Sequence, residues 1–255
     1  MTLSEAPEQV SRRDRVRADT VREIKQTARR VLVEQGEEGL ALRAVAREMG
    51  LTAPGLYRYF TSREDLVEHV VADLYTELAD ELEAACAGAD PGTPAQKLME
   101  ASRTFRRWAM GHRHEFGLLF GEPADDVIRD RTMSEGPAHE AKERFGGIFG
   151  ALITEVYLIR PFPVRTEEEI EAELRAQLTD CAQMFPAELP IGVVEVFLSC
   201  WIRLYGMVCM EVFGHLQFAL HDAEPMFEAE LRLLGERLGI GAEYRRPRGS
   251  DPTLR

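Results

Sequence analysis

Residues 43–63 gather arginines and tyrosines around a small polar tip: Arg43 and Arg47, then Thr52-Ala53-Pro54-Gly55, then Tyr57-Arg58-Tyr59, then Arg63. These side chains hold anions; they do not make or break bonds. A guanidinium fork donates to phosphate oxygens, and it also matches the paired acceptors on the edge of guanine. The 52–55 tip offers one hydroxyl and otherwise methyl and methylene surface, which touches thymine methyls but cannot make a bidentate base contact. Direct base readout therefore falls to Arg43, with Arg58 or Arg47 as lesser candidates. A solvated helix position is the plainer reading of Arg47.

Bond-making chemistry finds little support. None of the six histidines has Glu three residues before it, so the Glu-x-x-His pairs of carboxylate-bridged metal sites are missing. His112 and His114, two residues apart, would face different sides of a helix. Asp125-Asp126-x-x-x-Asp130 is a lone, imperfect copy of the aspartate-rich Mg²⁺ motif of all-α diphosphate enzymes, and it reads more simply as a helix start after Pro123. Cys86, Cys181, Cys200 and Cys209 are scattered without CxxC spacing, which argues for reduced core thiols and against a zinc site or a disulfide framework. The expectation is no enzyme, no cofactor and no metal. The alternatives kept are an aspartate-rich Mg²⁺/diphosphate enzyme and a ligand-independent DNA-binding protein. The latter would show no thermal shift with any small molecule.

The elements that must position the 43–63 groups are short helices. Leu42, Val45, Ala46 and Met49 recur at helical spacing, Gly50 breaks the run, and Leu56, Tyr57 and Phe60 follow at once. Two short helices, at about 42–49 and 53–59, joined through a glycine form a helix-turn-helix, whose second helix can lie in the major groove of DNA. Thr52 is placed as the N-cap of that second helix, and Pro54 is tolerated in its first turn. Ahead of it, Val21, Ile24, Ala28, Val31 and Leu32 make one face of a first helix ending at Gly36, with Thr20-x-x-Glu23 at capping-box spacing. Residues 1–13 lack periodicity and predict a flexible basic arm. Its arginines, together with Arg15 and Arg17, either enter a narrow minor groove or act only as a solvated charge.

Downstream, Thr61-x-x-Glu64 predicts the cap of a long helix with the stripe Leu66, Val67, Val70, Val71, Leu74, Leu78 and Leu82. Thr93-Pro94 opens a helix to about 110, and further helices are expected at about 114–120, 137–158, 166–185, 191–218 and 224–238. No segment alternates like a strand, so the fold class is all-α: a helix-turn-helix head at 14–66, a helical body at 67–239 and a disordered tail at 240–255.

The formal charge of −13 is unevenly spread. Residues 1–70 carry 12 Lys/Arg against 12 Asp/Glu, and residues 12–30 carry eight against three, so the body holds the whole deficit. A basic end on an acidic body suits a protein that presents one end to phosphate. The most apolar window, 191–214, contains Glu195, Arg203 and Glu211, each costing roughly 2.5–3.5 kcal/mol at mid-membrane. It reads as a core helix, with no membrane partner. The N-terminus lacks an apolar signal segment, and the expected location is cytoplasmic.

Residues 20–66 resemble the TetR family of bacterial transcriptional regulators, through Ile24, Ala28, Gly36, Gly39-Leu40, Arg43, Val45-Ala46, Gly50, Thr52, Gly55-Leu56-Tyr57, Tyr59-Phe60 and Arg63-Glu-Asp-Leu66. Trp201-Ile-Arg-Leu-Tyr-Gly206 is similar to a Trp-x-x-x-His-Gly element of one subgroup, with Tyr205 in place of histidine. Ala41 stands where the family usually has a threonine N-cap, and Arg63 where lysine is common. The resemblance implies a homodimer on a near-palindromic operator in double-stranded DNA, released by a small molecule. It also implies that Thr52, Ala53, Pro54 and Gly55 form the DNA-facing tip and that Tyr57, Tyr59 and Arg63 touch phosphate. The other reading of Tyr57 is a core residue wedged between helices.

In the body, Phe105, Trp108, Phe120, Phe149, Trp201 and Tyr205 are expected around an apolar pocket for an unknown small apolar effector. Val194, Phe197, Val208, Val212 and Leu216, with Phe227, Leu231 and Leu234, are candidates for a four-helix dimer interface, or else they complete the monomer core.

Overall fold

A computed structural model describes residues 11–36, 39–88, 92–121 and 136–245. Every regular element among them is helical: α1 (Arg12–Gln35), α2 (Leu42–Glu48), α3 (Ala53–Leu56), α4 (Arg63–Gly88), α5 (Pro94–Gly111), α6 (Arg113–Phe120), α7 (Pro137–Ile159), α8 (Ala172–Cys181), α9 (Ile191–Val212) and α10 (Glu224–Arg237). The chain forms two compact units, Met1–Asp73 with Gly117–His139, and Leu74–Phe116 with Glu140–Arg255. The division thus falls inside α4, seven residues beyond the expected boundary at 66. Leu66, Val67, Val70 and Val71 explain the shift, because these buried side chains of the first α4 turns belong to the N-terminal core.

That core is built from Ile24, Ala28, Val31 and Leu32 of α1, Val45 and Ala46 of α2, and Leu56 and Phe60, all almost wholly buried. Helix α1 begins at Arg12, ahead of Thr20. Ser11 caps it by accepting from the Asp14 amide at 3.2 Å, while its hydroxyl donates to the Asp14 carboxylate at 2.7 Å. Thr20 is no cap; its hydroxyl donates to the Val16 carbonyl at 2.8 Å within the helix. Arg12 and Arg13 are therefore helical, contrary to a flexible arm through residue 13, while residues 1–10 lie outside the described part. At the head of α4 the cap is Ser62, which accepts from the Asp65 amide at 3.2 Å, and Thr61 donates to the Asp65 carboxylate from both amide and hydroxyl. The expected Thr61/Glu64 box is thus displaced by one residue.

In the C-terminal unit, Thr93 and Gln96 close the capping box of α5 with Pro94 in its first turn, as the sequence indicates. The Thr166/Glu169 box also forms, but it closes only a 3₁₀ turn, Glu167–Glu169. The buried, extended Ile170 interrupts the chain there, so α8 begins at Ala172 and ends at Cys181. Helix α9 stops at Val212, short of 218, because Gly214 takes φ +74° and closes the helix end with bonds from its own amide to Glu211 and from His215 to Met210. With a mean hydropathy of 1.6 over its best window, α9 is the one helix among the described residues long and apolar enough to cross a membrane; it packs against α5, α8 and α10.

The segment after α10 is ordered through Arg245, against the expected disordered tail from 240. A 3₁₀ turn, Gly241–Glu243, is followed by Tyr244, whose hydroxyl donates to Glu228 at 2.7 Å, and Arg103 donates to the Arg245 carbonyl at 2.9 Å. Residues 246–255 lie outside the described part.

Candidate nucleic-acid interface and the cavity of the C-terminal unit

The turn that aims α3 is set by Gly50 at φ +67°. Its amide bonds to the Arg47 carbonyl at 3.1 Å and the Leu51 amide to Ala46 at 2.8 Å, the paired closure of a Schellman motif in which a left-handed residue ends the helix. Helix α3 proper is a single turn, shorter than the 53–59 expected, and it continues as turns in which Tyr59 and Phe60 both bond back to Leu56. Thr52 caps it, with its side-chain oxygen accepting from the Gly55 amide at 3.3 Å.

Only Leu56 of α3 is buried; Thr52 and Pro54 are exposed, and Ala53 and Gly55 half-buried. Tyr57 is 53% exposed, which removes the reading of it as a wedged core residue. Arg43, Arg47 and Arg58 are exposed, and Tyr59 is half-buried. Ala41 caps α2 without a side-chain hydrogen bond, as its type requires. Arg17 of α1 reaches across to this region. Its guanidinium lies 5.3 Å from the centre of the Tyr59 ring and 3.5 Å from the Arg58 carbonyl.

Arg63, which the resemblance places against phosphate at the start of α4, also makes a contact within the head. It is half-buried, and its Nε donates to the Leu40 carbonyl at 2.9 Å, tying the start of α4 to the segment that leads into α2. A side chain at a helix start that reaches a buried neighbouring carbonyl cannot be distinguished from an outward one by sequence spacing.

The C-terminal unit holds an aromatic cluster in which Phe105, Phe149 and Trp201 lie with ring centres 5.5–6.4 Å apart, and Tyr205 stacks on Trp201 at 5.9 Å. Beside it lies a cavity of about 40 Å³, lined by Leu98, Met99, Ser102, Phe149, Ile153, Phe197, Cys200, Trp201, Leu204, Leu231, Leu234, Gly235 and Leu238. Of the six expected pocket residues, Phe149 and Trp201 line it, and Phe105 and Tyr205 pack behind Trp201. Trp108 does not join them: it stacks on His112 and its Nε1 donates to Glu77 at 3.1 Å. Phe120 belongs to the N-terminal unit. Leu98, Ser102 and Leu238 were not among the expected pocket residues, although Leu98 and Ser102 sit two turns and one turn before Phe105 on the same helix. Burial pushes the Cys200 thiol up to about 11, so it is protonated at neutral pH.

The residues considered for a dimer face are mostly covered by their own chain, as the alternative of a monomer core has it. Val194, Val208, Val212, Phe227, Leu231 and Leu234 are buried within the unit, and Phe197, Leu231 and Leu234 line the cavity. The outward stripe consists instead of Ile202 (60% exposed) and Met210 on α9, Phe213 at its C-cap, and Met226 and Leu233 on α10. Leu216 lies beyond the end of α9 and is half-buried. An apolar helix that is hydrophobic on several sides does not reveal from spacing which stripe its own chain covers.

Two pairs absent from the sequence reading lock this unit. Arg103 grips Glu228 through Nε and Nη2 at 2.8 and 2.9 Å, and Arg106 grips Glu211 at 2.7 and 2.6 Å, joining α5 to α10 and α9. Among the described residues no three His, Cys, Asp or Glu side chains converge as metal ligands, and Asp125, Asp126 and Asp130 lie outside the described part.

An exposed helix tip presented by a glycine turn on a three-helix core, with arginines and a tyrosine around it, defines a helix-turn-helix DNA-binding protein. A sequence profile described as bacterial regulatory proteins, tetR family, matches residues 24–70, and one described as Tetracyclin repressor-like, C-terminal domain, matches residues 98–234. The chain belongs to the TetR family of bacterial transcriptional regulators, and its relatives are regulators, not enzymes. It is 28% identical over 227 residues to the HTH-type transcriptional regulator Rv1816 of Mycobacterium tuberculosis, covering 88% of this chain and 94% of that one. The crystal structure of the putative regulatory protein SCO4313 matches with TM-score 0.66 and 26% identity, over 88% of this chain and 98% of that one. FadR of Bacillus subtilis, solved in complex with stearoyl-CoA, shares the fold at TM-score 0.51 and 14% identity, over 84% of this chain and 96% of that one.

Proposed function

We propose that this regulator binds a near-palindromic operator as a homodimer and is released from it by a small apolar molecule held in the C-terminal unit. The observation that carries the reading is the exposure of Arg43 and of the Thr52, Pro54, Tyr57 and Arg58 surface around the glycine turn. A group that reads base edges must reach them unpartnered by its own protein, and among the described residues Arg43 has no hydrogen-bond or ion-pair partner. Tyr57 and Tyr59 then hold flanking phosphates. Arg63 acts through the Leu40 carbonyl, positioning α2.

The outward stripe of α9 and α10 supports the dimer, because Ile202, Met210, Phe213, Met226 and Leu233 give one unit an apolar face that a second copy would cover. The apolar lining of the cavity supports the effector class. At about 40 Å³ the cavity is too small for a drug-sized ligand, so an effector must displace adaptable side chains such as Met99 to enlarge it. A fatty acyl thioester is the first probe to try, given the stearoyl-CoA bound by the FadR neighbour.

The test is Arg43→Ala against a panel of single-base operator variants. Loss of roughly 1–3 kcal/mol together with relaxed preference at one position per half-site supports base readout. A uniform loss on every duplex would instead make Arg43 a phosphate clamp and overturn its assigned role.

A further inference from the structure

The start of α1 projects beyond what the head core needs. Every residue from Ser11 to Asp19 is exposed, and Ile24 is the first fully buried side chain of the helix. In this stretch Arg12, Arg13, Arg15 and Arg17 face two acids already engaged: Asp14 with the Ser11 cap, and Asp19 with Arg22 at 2.8 Å. Among the described residues no carboxylate pairs with any of the four arginines.

At 100° per residue these arginines divide between two faces. Arg13 and Arg17, four apart, continue the stripe of Ile24, Ala28 and Val31 that packs on the head, while Arg12 and Arg15 point away from it. Arg17 is fastened beside the end of α3 by the Arg58 carbonyl and the Tyr59 ring. Arg13 lies one turn, about 6 Å, further out along the same line.

We propose that Arg13 and Arg17 form a second, rigid phosphate-contact surface on α1, lying along the DNA backbone that flanks the groove entered by α3. The proposal rests on the reading of the head as a DNA reader. It also excludes an extended arginine arm for this stretch: an α-helix is about 10–12 Å across with its side chains, whereas the minor groove of B-DNA is about 6 Å wide. The contact is therefore to backbone, and it is indifferent to sequence.

The experiment compares the full chain with Arg13→Ala and with the opposite-face pair Arg12→Ala/Arg15→Ala, on a selected operator and on a scrambled duplex, between 50 and 200 mM salt. One lost phosphate contact reduces the salt slope by about 0.9, so wild type should lose about threefold more affinity than Arg13→Ala across that range. This change is expected on both duplexes, and the opposite-face pair should show less than half of it. An unchanged slope in Arg13→Ala, or a larger change in the opposite-face pair, would overturn the proposal. Exchange of flanking A·T for G·C pairs should leave affinity unaltered, and a marked loss would overturn it in favour of minor-groove reading. If wild type shows no preference between the two duplexes, the operator-reading function fails, and the slope on the scrambled duplex still decides the α1 contact.

Discussion

Glu228 in the C-terminal unit accepts two bonds from Arg103 and one from Tyr244 while almost fully buried. Burial pushes its carboxyl up, but the hydrogen bonds from Arg103 and Tyr244 and the arginine charges outweigh that and hold it below the usual range. The folded chain thus takes up this proton less readily than the unfolded one. The pair stabilises the unit above the ordinary carboxylate range, and its contribution is lost as pH falls through that range toward the lower folded value. Glu228→Gln removes the bidentate counter-charge of a largely buried guanidinium and leaves it only Glu100 at 3.9 Å, and thermal or denaturant unfolding should report a loss of roughly 3 kcal/mol at neutral pH. The variant should also lose part of the wild-type destabilisation between about pH 5 and pH 3. Equal acid sensitivity in both proteins would assign that sensitivity to other carboxylates.

Among the elements, the α2–α3 turn carries the largest consequence for its length. Nothing lies within 4 Å of a Cβ built on Gly50, so its substitution costs only the left-handed backbone, about 1–2 kcal/mol for an L-residue. Gly50→Ala is expected to lower the stability of the head by up to that amount. Relaxation of the turn toward a right-handed backbone, which relieves the cost, re-aims α3 and weakens operator binding more than the stability change explains. Binding measured well below the melting temperature, beside circular dichroism, separates the two effects. The head was legible in the sequence because Gly50, Thr52 and the apolar positions of α2 specify the turn locally. The caps were less so. Thr20 and Thr61 have the right residue three places on, yet Ser11 and Ser62, each with an aspartate, hold the helix starts. A capping motif tells which residues can close a helix, not which of two overlapping sets the chain uses. Which face of α9 its own chain covers was not legible for a related reason: Val194 and Ile202 are both apolar, and only packing places the first inside and the second outside.

At the scale of the whole molecule, α4 runs from the head into the C-terminal unit, its first turns in one core and Leu74, Leu78 and Leu82 in the other. An effector that enlarges the cavity would act on operator affinity only by altering how two heads are held, so the account requires a dimer. A DNA-binding dimer with two-fold symmetry imposes that symmetry on its site, with half-sites separated by one helical turn of about 34–36 Å or a multiple of it. Selection of bound duplexes from a random pool, run with wild type and with Ile202→Asp/Leu233→Asp, tests this most directly. Wild type should enrich an inverted repeat of fixed spacing, and the variant, running as a monomer on size exclusion, a single half-site bound at least tenfold more weakly. Failure of wild type to enrich any sequence, or enrichment of a lone asymmetric site, would contradict the account.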